Sequence, residues 1–415
     1  MKKALLIAFH FPPLAGSSGL QRVLSLTRHL PPLNWLPLVL TANKRAYETT
    51  NDSQLSDIPE STEVVRSFAL NTRKHLSIRG RYIRYLALPD QWVTWCFGGI
   101  FSGLRLIRNH RPVVIWSTYP IATAHLIGLI LQKCTGLPWV ADFRDSMSED
   151  HYPHDPTTRR IYQWIERKTV RACSKAVFTT PSTLEMYRLR YPEIPNDRWV
   201  LIPNGYDEGI FAEVEKKLPK RKGIGIEGPI TLVHSGVVYP SERDPSDFFL
   251  ALSRLKAQGR IDSSHLQIKF RACWHEDVLM PMLKKNHIED LVQLLPPIPY
   301  REALTEIMMA DALLILQASN CNHQVPAKVY EYFRARRPVL GLTDPAGDTA
   351  KVMRDAGIHD IAPLDDADAI AAILPDFLQR LEHGTTSVAS SETIHNSSRQ
   401  HSAHKLSDIF EQISA

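Results

Sequence analysis

The sequence is short of cysteine: five in 415 residues, Cys96, Cys134, Cys173, Cys273 and Cys321, with no C-x-x-C among them. An odd and scattered set excludes a disulfide framework and a cysteine-based zinc site, and reads as reduced thiols in or near a core. Long apolar runs are lacking too. Val93 to Leu104 comes nearest, with twelve uncharged residues that include Gly98, Gly99 and Gly103, short of the roughly 18 to 20 residues of a membrane span. Met1-Lys2-Lys3 precedes only six apolar residues, Ala4 to Phe9, before His10 and Pro12-Pro13, which favours a buried first strand over a signal peptide. A large charge excess is also missing. Lysine plus arginine total 49 against 44 acids, and a net +5 does not by itself point to nucleic acid.

What is present is ordinary for a folded, cytosolic chain of two to three domains at about 150 residues each. Apolar runs of strand length alternate with helical patterns, the signature of wound α/β architecture. Strands are expected at Ala4–Phe9, Leu36–Thr41, Val113–Ser117, Trp139–Asp142, Ala176–Thr180 and Trp199–Ile202. A second series follows at Ile230–Ser235, Leu266–Arg271, Val292–Leu295, Ala312–Leu316 and Val339–Leu342. Between them residues 212–229, charged and rich in Gly and Pro, read as a loop leading into a second domain. After a Ser-rich stretch, Leu406, Ile409, Phe410 and Ile413 resume a helical spacing, so a terminal helix packs back onto the protein.

In open α/β sheets ligands bind beyond the carboxyl ends of the strands, so the loops there carry the candidates. His10 to Gly19 is rich in small residues and opens the helix Leu20–Leu30; it is an anion-accepting loop or an ordinary strand-to-helix turn, and neither G-x-G-x-x-G nor a Walker A. Asp142-Phe143-Arg144-Asp145 puts three charges on four residues at a strand end, costly unless paired or used. His125, on the segment Ile121–Leu131, either approaches that cluster or packs in the core. Ile202 to Asp207 reads as a tight Asn-Gly turn between the two strand series. His234-Ser235-Gly236, followed by Arg243 and the helix Ser246–Gln258, suits a diphosphate: glycine admits close approach and arginine holds phosphate oxygens in pairs. Lys328 and Glu331 lie three apart on one helix face, either a phosphate-binding cation beside a carboxylate for sugar hydroxyls or a surface salt bridge. Asp366-Ala367-Asp368 matches the D-x-D of metal-dependent transferases but sits at a helix start, where capping and the helix dipole account for it.

Val64 to Arg111 holds Arg66, Arg73, Lys74, Arg79, Arg81, Arg84, Arg105, Arg108 and Arg111 against Asp90 alone, +8 in 48 residues. Trp92, Trp95, Phe97, Ile100, Phe101 and Leu104 are interleaved. The combination fits an interfacial element on an anionic membrane; nucleic acid and a solvated basic face are the other readings.

These pieces together resemble the family 4 glycosyltransferases of the GT-B fold, in the branch that builds bacterial surface polysaccharides. The markers, spread over nearly the whole chain, are Phe11-Pro12-Pro13 to Gly19, Pro138 to Asp145, Ile202-Pro203-Asn204-Gly205-Tyr206-Asp207, His234-Ser235-Gly236, and Lys328-Val329-Tyr330-Glu331-Tyr332 with Arg337-Pro338-Val339. The resemblance implies two doubly wound Rossmann-like domains facing an interdomain cleft: residues 1–203 for the acceptor, 204–385 for the nucleotide-sugar, and 386–415 as a linker and terminal helix crossing back to the first domain. It implies retaining transfer of a sugar from a nucleotide-sugar to a glycan or lipid-linked acceptor, with no metal or other cofactor and no nucleic-acid partner. The expected place is the cytoplasm, peripheral on the inner face of the membrane. Carried over by motif, Glu331 is the second glutamate of the family's E-x7-E and binds the donor ribose; Gly236, Arg243 and Lys328 serve the diphosphate. Gly16, Ser17 and His125 fall on the acceptor side, and Asp142, Arg144 and Asp145 near the reacting centre. Two positions depart from the pattern: His323 stands where the family has its first glutamate, and Val237 where many relatives have the first arginine of the phosphate pair. Those departures leave a non-catalytic GT-B protein, binding glycan or an active transferase, as the alternative.

Overall fold

The first strand takes up the N-terminal apolar run: β1 (Lys2–Ile7) buries Ala4, Leu5, Leu6 and Ile7 completely. A strand flanked on both sides by parallel neighbours and covered by helices on both faces has no face left for polar residues, which is why such strands read as continuous apolar runs. The computed structural model describes residues 1–15, 19–77, 79, 81–150, 152–219 and 228–414. They fall into two units, Met1–Asn204 with Arg399–Ala415, and Gly205–Ser398.

The first unit continues with α1 (Gly19–His29), β2 (Trp35–Ala42), β3 (Glu63–Ser67), α2 (Thr72–His75), α3 (Trp95–His110), β4 (Val114–Thr118), α4 (Ala122–Thr135), β5 (Trp139–Arg144), α5 (Pro156–Ala172), β6 (Lys175–Phe178), α6 (Pro181–Arg190) and β7 (Trp199–Leu201). Its seven strands are all parallel in the order β3-β2-β1-β4-β5-β6-β7. The order reverses between β1 and β4, the switch point beyond whose strand ends open α/β sheets form their ligand crevice.

The second unit holds α7 (Glu208–Glu215), β8 (Ile230–Ser235), α8 (Ser246–Ala257), β9 (Leu266–Arg271), α9 (Glu276–Asn286), β10 (Val292–Leu295), α10 (Tyr300–Met309), β11 (Ala312–Gln317), α11 (Lys328–Ala335), β12 (Val339–Thr343), α12 (Asp348–Asp355), β13 (Ile361–Ala362), α13 (Ala367–Glu382) and α14 (Ser391–Asn396). Six parallel strands run β10-β9-β8-β11-β12-β13, so the switch point lies between β8 and β11. The last helix, α15 (Arg399–Ser414), belongs to the first unit: Ala403, Leu406, Ile409 and Phe410 are buried in its core, with Phe410 edge-on to Trp35 at 5.2 Å. The two-sheet α/β architecture and the returning terminal helix are therefore as expected.

Several local expectations change. Residues 212–215 complete α7 rather than begin a loop, and 220–227 of that stretch lie outside the described residues. Residues 386–398 contain α14 and sit in the second unit. Neither Asn204 nor Gly205 has a positive φ, so the segment is extended rather than an Asn-Gly turn. Asp366 accepts from the backbone N–H groups of Asp368 and Ala369 and so caps α13, which accounts for the D-x-D. All five cysteines are free; Cys134 is exposed and the other four are buried.

Candidate functional site

In the first unit, β5 delivers its charged end to the crevice. Asp142 is fully buried in the strand and bound in pairs by Arg22 of α1: Nε donates to Oδ2 at 2.8 Å and Nη2 to Oδ1 at 3.2 Å. The same guanidinium donates to the carbonyls of Pro203 at 3.0 Å and Ile202 at 3.2 Å. Asp142 is thus a buried anion tying α1 and the chain after β7 to β5, and Arg22 is the partner that the sequence reading missed.

A register irregularity follows between Asp142 and Arg144; Phe143 is fully buried, and Arg144 and Asp145 are half-buried. Arg144 has φ 59°, left-handed backbone that a non-glycine residue adopts only when its surroundings enforce it. Its carbonyl is held by Thr179 through the backbone N–H at 3.3 Å and the hydroxyl at 2.7 Å. The guanidinium donates to the Tyr119 carbonyl at 3.4 Å, while its buried Nε has no hydrogen-bond partner among the described residues. Gly19, the first residue of α1, makes room for it: a Cβ there would overlap the Arg144 guanidinium and lie 2.9 Å from Nδ1 of His10. Burial, then the Arg144 charge, lowers His10 to about 4, so its imidazole is neutral at physiological pH. Burial raises Asp145 against the pull of Arg144. Arg399 also acts electrostatically on Arg144; with Arg22 bound to Asp142, the guanidiniums of Arg144 and Arg399 are set against the single carboxyl of Asp145, a balance that favours an anionic or developing negative charge.

His125 takes no part in this. Its ring is fully buried, bonded to the Ser117 hydroxyl at 2.8 Å and edge-on to Phe143 at 4.9 Å, and burial lowers it to about 3. It is a neutral core histidine, the packing alternative for a histidine on an apolar helix. Gly16 and Ser17 lie outside the described residues.

In the second unit the chain leaves β8 through Gly236, with φ 116°, a conformation open to glycine. A Cβ there would stand 3.0 Å from Nζ of Lys328, the first residue of α11. That ammonium lies 3.1 Å from Nε2 of His234. His234 is fully buried, and its Nδ1 lies 2.9 Å from the Leu314 carbonyl. A carbonyl only accepts, so Nδ1 carries the proton and Nε2 presents a lone pair to the lysine. No salt bridge joins Lys328 to Glu331 among the described residues; burial and Arg243 push Lys328 well below the ordinary lysine range. Arg243 lies over the Tyr239 ring at 5.3 Å and donates to the Val237 carbonyl, so Val237 contributes its backbone where relatives place a cation. Tyr332 donates its hydroxyl to no carboxylate here but accepts the Ser235 N–H at 3.0 Å, tying α11 to the tip of β8. Glu331 accepts from the Tyr300 hydroxyl at 2.7 Å. The structure thus gathers Gly236, Arg243 and Lys328 at one strand tip, with Glu331 one helical turn along; His323 sits on an exposed turn before α11. His234 and Tyr332 stand within the motifs His234-Ser235-Gly236 and Lys328 to Tyr332, and their contacts give them roles that the sequence did not.

Two parallel sheets, each with a switch-point crevice and charged groups at its strand tips, define the GT-B class of fold. Residues 19–205, in the first unit up to Asn204, match the glycosyl transferase 4-like domain. Among solved structures the fold is shared with sucrose-phosphate synthase of Thermosynechococcus elongatus (14% identity over 99% of both chains, TM-score 0.63). It is shared with Anabaena HepE in complex with UDP-glucose (13%, 99% of this chain and 98% of that one, TM-score 0.63). A third is the lipopolysaccharide outer core galactosyltransferase WaaB (13%, 99% and 100%, TM-score 0.60). A search of the curated proteins finds no match to this sequence.

Proposed function

We propose that this chain is a retaining, metal-independent glycosyltransferase that moves a sugar from a nucleotide-sugar to a glycan or lipid-linked acceptor in bacterial surface-polysaccharide synthesis. The observation that carries the reading is Lys328: a cation held behind Gly236 by a neutral histidine, with Arg243 as a second cation and, among the described residues, no carboxylate in salt-bridge contact. Two cations held without an anion between them destabilise the empty site and favour a diphosphate that fills it. The charge that develops on the diphosphate as the glycosidic bond breaks is met by Lys328 and Arg243, which removes the need for a divalent metal. Glu331 suits the ribose hydroxyls. In the first unit Arg144 and Asp145 are the groups offered to the acceptor side and the reacting centre.

The solved complex of HepE with UDP-glucose and the lipopolysaccharide role of WaaB support a nucleotide-sugar donor and an envelope glycan. Among the described residues no helix is long and apolar enough to cross a membrane, while the exposed Phe97 and Phe101 of the basic segment support attachment at a membrane face.

A thermal-shift screen against UDP, GDP, TDP, ADP and CMP with their common sugars, with and without EDTA, tests the reading. One nucleotide family should stabilise the protein equally in both conditions, and Glu331→Ala should abolish the shift. Absence of a shift with every nucleotide would favour a non-catalytic glycan-binding protein. The anomeric configuration of the product, read by NMR, checks retention.

A further inference from the structure

The first unit contains a cavity of about 490 Å³ lined by Arg73, Tyr82, Arg84, Asp90, Gln91, Trp92, Asp155 and Thr158 with Ala87, Leu88 and Pro89. Its size falls within the roughly 300–1,000 Å³ of small-molecule sites. Arg73, Arg84, Asp90 and Trp92 belong to the basic segment described above, and the cavity lies in the same unit as Arg144 and Asp145. Trp92 packs on Phe9, next to His10, at 4.6 Å between ring centroids. Asp90 accepts the backbone N–H of Thr123 at 2.9 Å, four residues after the Tyr119 whose carbonyl holds Arg144.

The lining is balanced in charge, with two arginines and two aspartates, and Arg84 is already paired with Asp155. Asp155 also accepts from Thr158, through the backbone at 2.8 Å and the hydroxyl at 2.7 Å. A free phosphate gains little from a site of zero net charge. What the lining offers is a mixture of donors and acceptors beside the flat faces of Trp92 and Tyr82. Sugars are recognised by that mixture, since each hydroxyl both donates and accepts and the C–H faces stack on aromatic rings. Two groups are left over for a ligand: the buried amide oxygen Oε1 of Gln91 has no partner, and Arg73 makes no ion pair, among the described residues. Next to the lining residues Tyr82 and Arg84 in the chain stand Ile83, Tyr85 and Leu86, which are 64%, 78% and 42% exposed, and nothing polar in a water-soluble sugar would cover them.

We propose that this cavity seats a sugar unit of the acceptor, and that the acceptor is a membrane-anchored glycan whose lipid lies across Ile83, Tyr85 and Leu86. The proposal rests on the transferase reading and selects the lipid-linked acceptor from its two alternatives.

The test is saturation-transfer NMR on the full-length protein with octyl glucoside, galactoside and N-acetylglucosaminide below their micellar concentrations, the corresponding free sugars, and glycerol phosphate. At least one octyl glycoside should bind at least tenfold more tightly than its free sugar. Gln91→Ala and Arg73→Ala should each weaken that binding at least fivefold, and Ile83→Ser with Tyr85→Ser should reduce the octyl glycoside to the level of the free sugar. No glycoside binding, binding indifferent to Gln91→Ala and Arg73→Ala, or tighter binding of glycerol phosphate would each overturn the proposal. The nucleotide shift abolished by Glu331→Ala reports the second unit alone, so a failed acceptor site is distinguishable from a failed transferase reading.

Discussion

The ammonium of Lys328 and the imidazole Nε2 of His234 are 3.1 Å apart, and the lysine takes this neutral acceptor instead of the carboxylate three residues along its own helix. The histidine aims the cation without neutralising it. Both groups are pushed down from their ordinary values, foremost by burial. A diphosphate placed against Lys328 favours its charged form, so nucleotide binding should take up protons wherever the empty site has begun to release the lysine proton, and affinity should fall as pH rises through that range. Calorimetry of nucleotide binding in buffers of different ionisation enthalpy between pH 7 and 9 reads this directly. Zero uptake across that range would show that the lysine is fully charged in the empty protein.

Gly236 is required twice over, for its φ of 116° and for the 3.0 Å that separates a Cβ there from Lys328. Gly236→Ala should destabilise the protein by about 1–2 kcal/mol through left-handed strain and weaken nucleotide binding at least tenfold by displacing the ammonium. Urea unfolding and nucleotide titration separate the two effects. A variant with lowered stability and unaltered nucleotide affinity would remove Gly236 from the diphosphate site.

His10 gives a pH dependence of stability. Its value in the folded protein is about 4, below the roughly 6.5 of an unfolded chain. Between these values the unfolded state binds the extra proton, so stability rises with pH across the window and is lost on acidification from 6.5 towards 4. The buried His125 and His234 act in the same direction. His10→Asn should flatten the slope of unfolding free energy against pH by up to one proton between pH 4.5 and 6. An unchanged slope would mean that His10 protonates without cost in the folded protein.

The central strands were legible because a strand buried on both faces leaves an uninterrupted apolar run, as Ala4–Ile7 and Ala312–Leu316 do. β3 was not: Glu63–Ser67 is an edge strand with one apolar pair, Val64-Val65, inside a basic stretch, and β13 is only two residues long. The charged loops were legible as charge density at strand ends, but the division of labour within Asp142-Phe143-Arg144-Asp145 was not. It depends on Arg22, 120 residues away in sequence, and on the register irregularity that separates the half-buried Arg144 from the fully buried Asp142. His125 illustrates the converse: its helix places it near the cluster in sequence terms, and the packing of Trp139 and Phe143 encloses it.

The Arg22–Asp142 pair should behave as a buried ion pair. Removing one partner strands the other charge, at a cost of about 3–5 kcal/mol. Arg22→Met and Asp142→Leu should each show a loss of that order in chemical denaturation, and the double variant should be more stable than the sum of the two losses predicts. Additive losses would show that the two side chains are not energetically coupled, and Asp142 would return to the candidates for chemistry.

The helix α3 has its residue sizes inverted. Its inner face is lined by Gly99 and Gly103, where a Cβ would come within 2.5 Å of the Ile127 and Leu131 side chains, so the α3 backbone packs directly against these two residues of α4. Its outer face carries Phe97 and Phe101, 76% and 72% exposed, with exposed Arg105 and Arg108 a turn or two further on. Leaving a phenylalanine in water forgoes about 1.5–3 kcal/mol of burial, which a lipid interface supplies while the arginines meet anionic head groups. Phe97→Ser with Phe101→Ser should therefore leave unfolding free energy within about 0.5 kcal/mol, as surface changes do, and lower partitioning onto phosphatidylglycerol vesicles at least tenfold. Charge reversal at Arg79, Arg81, Arg105 and Arg108 should lower it further and remove its dependence on salt. Partitioning that survives both sets of changes would place the membrane contact elsewhere on the protein, and no partitioning by the unaltered chain would leave the exposed phenylalanines to a protein partner.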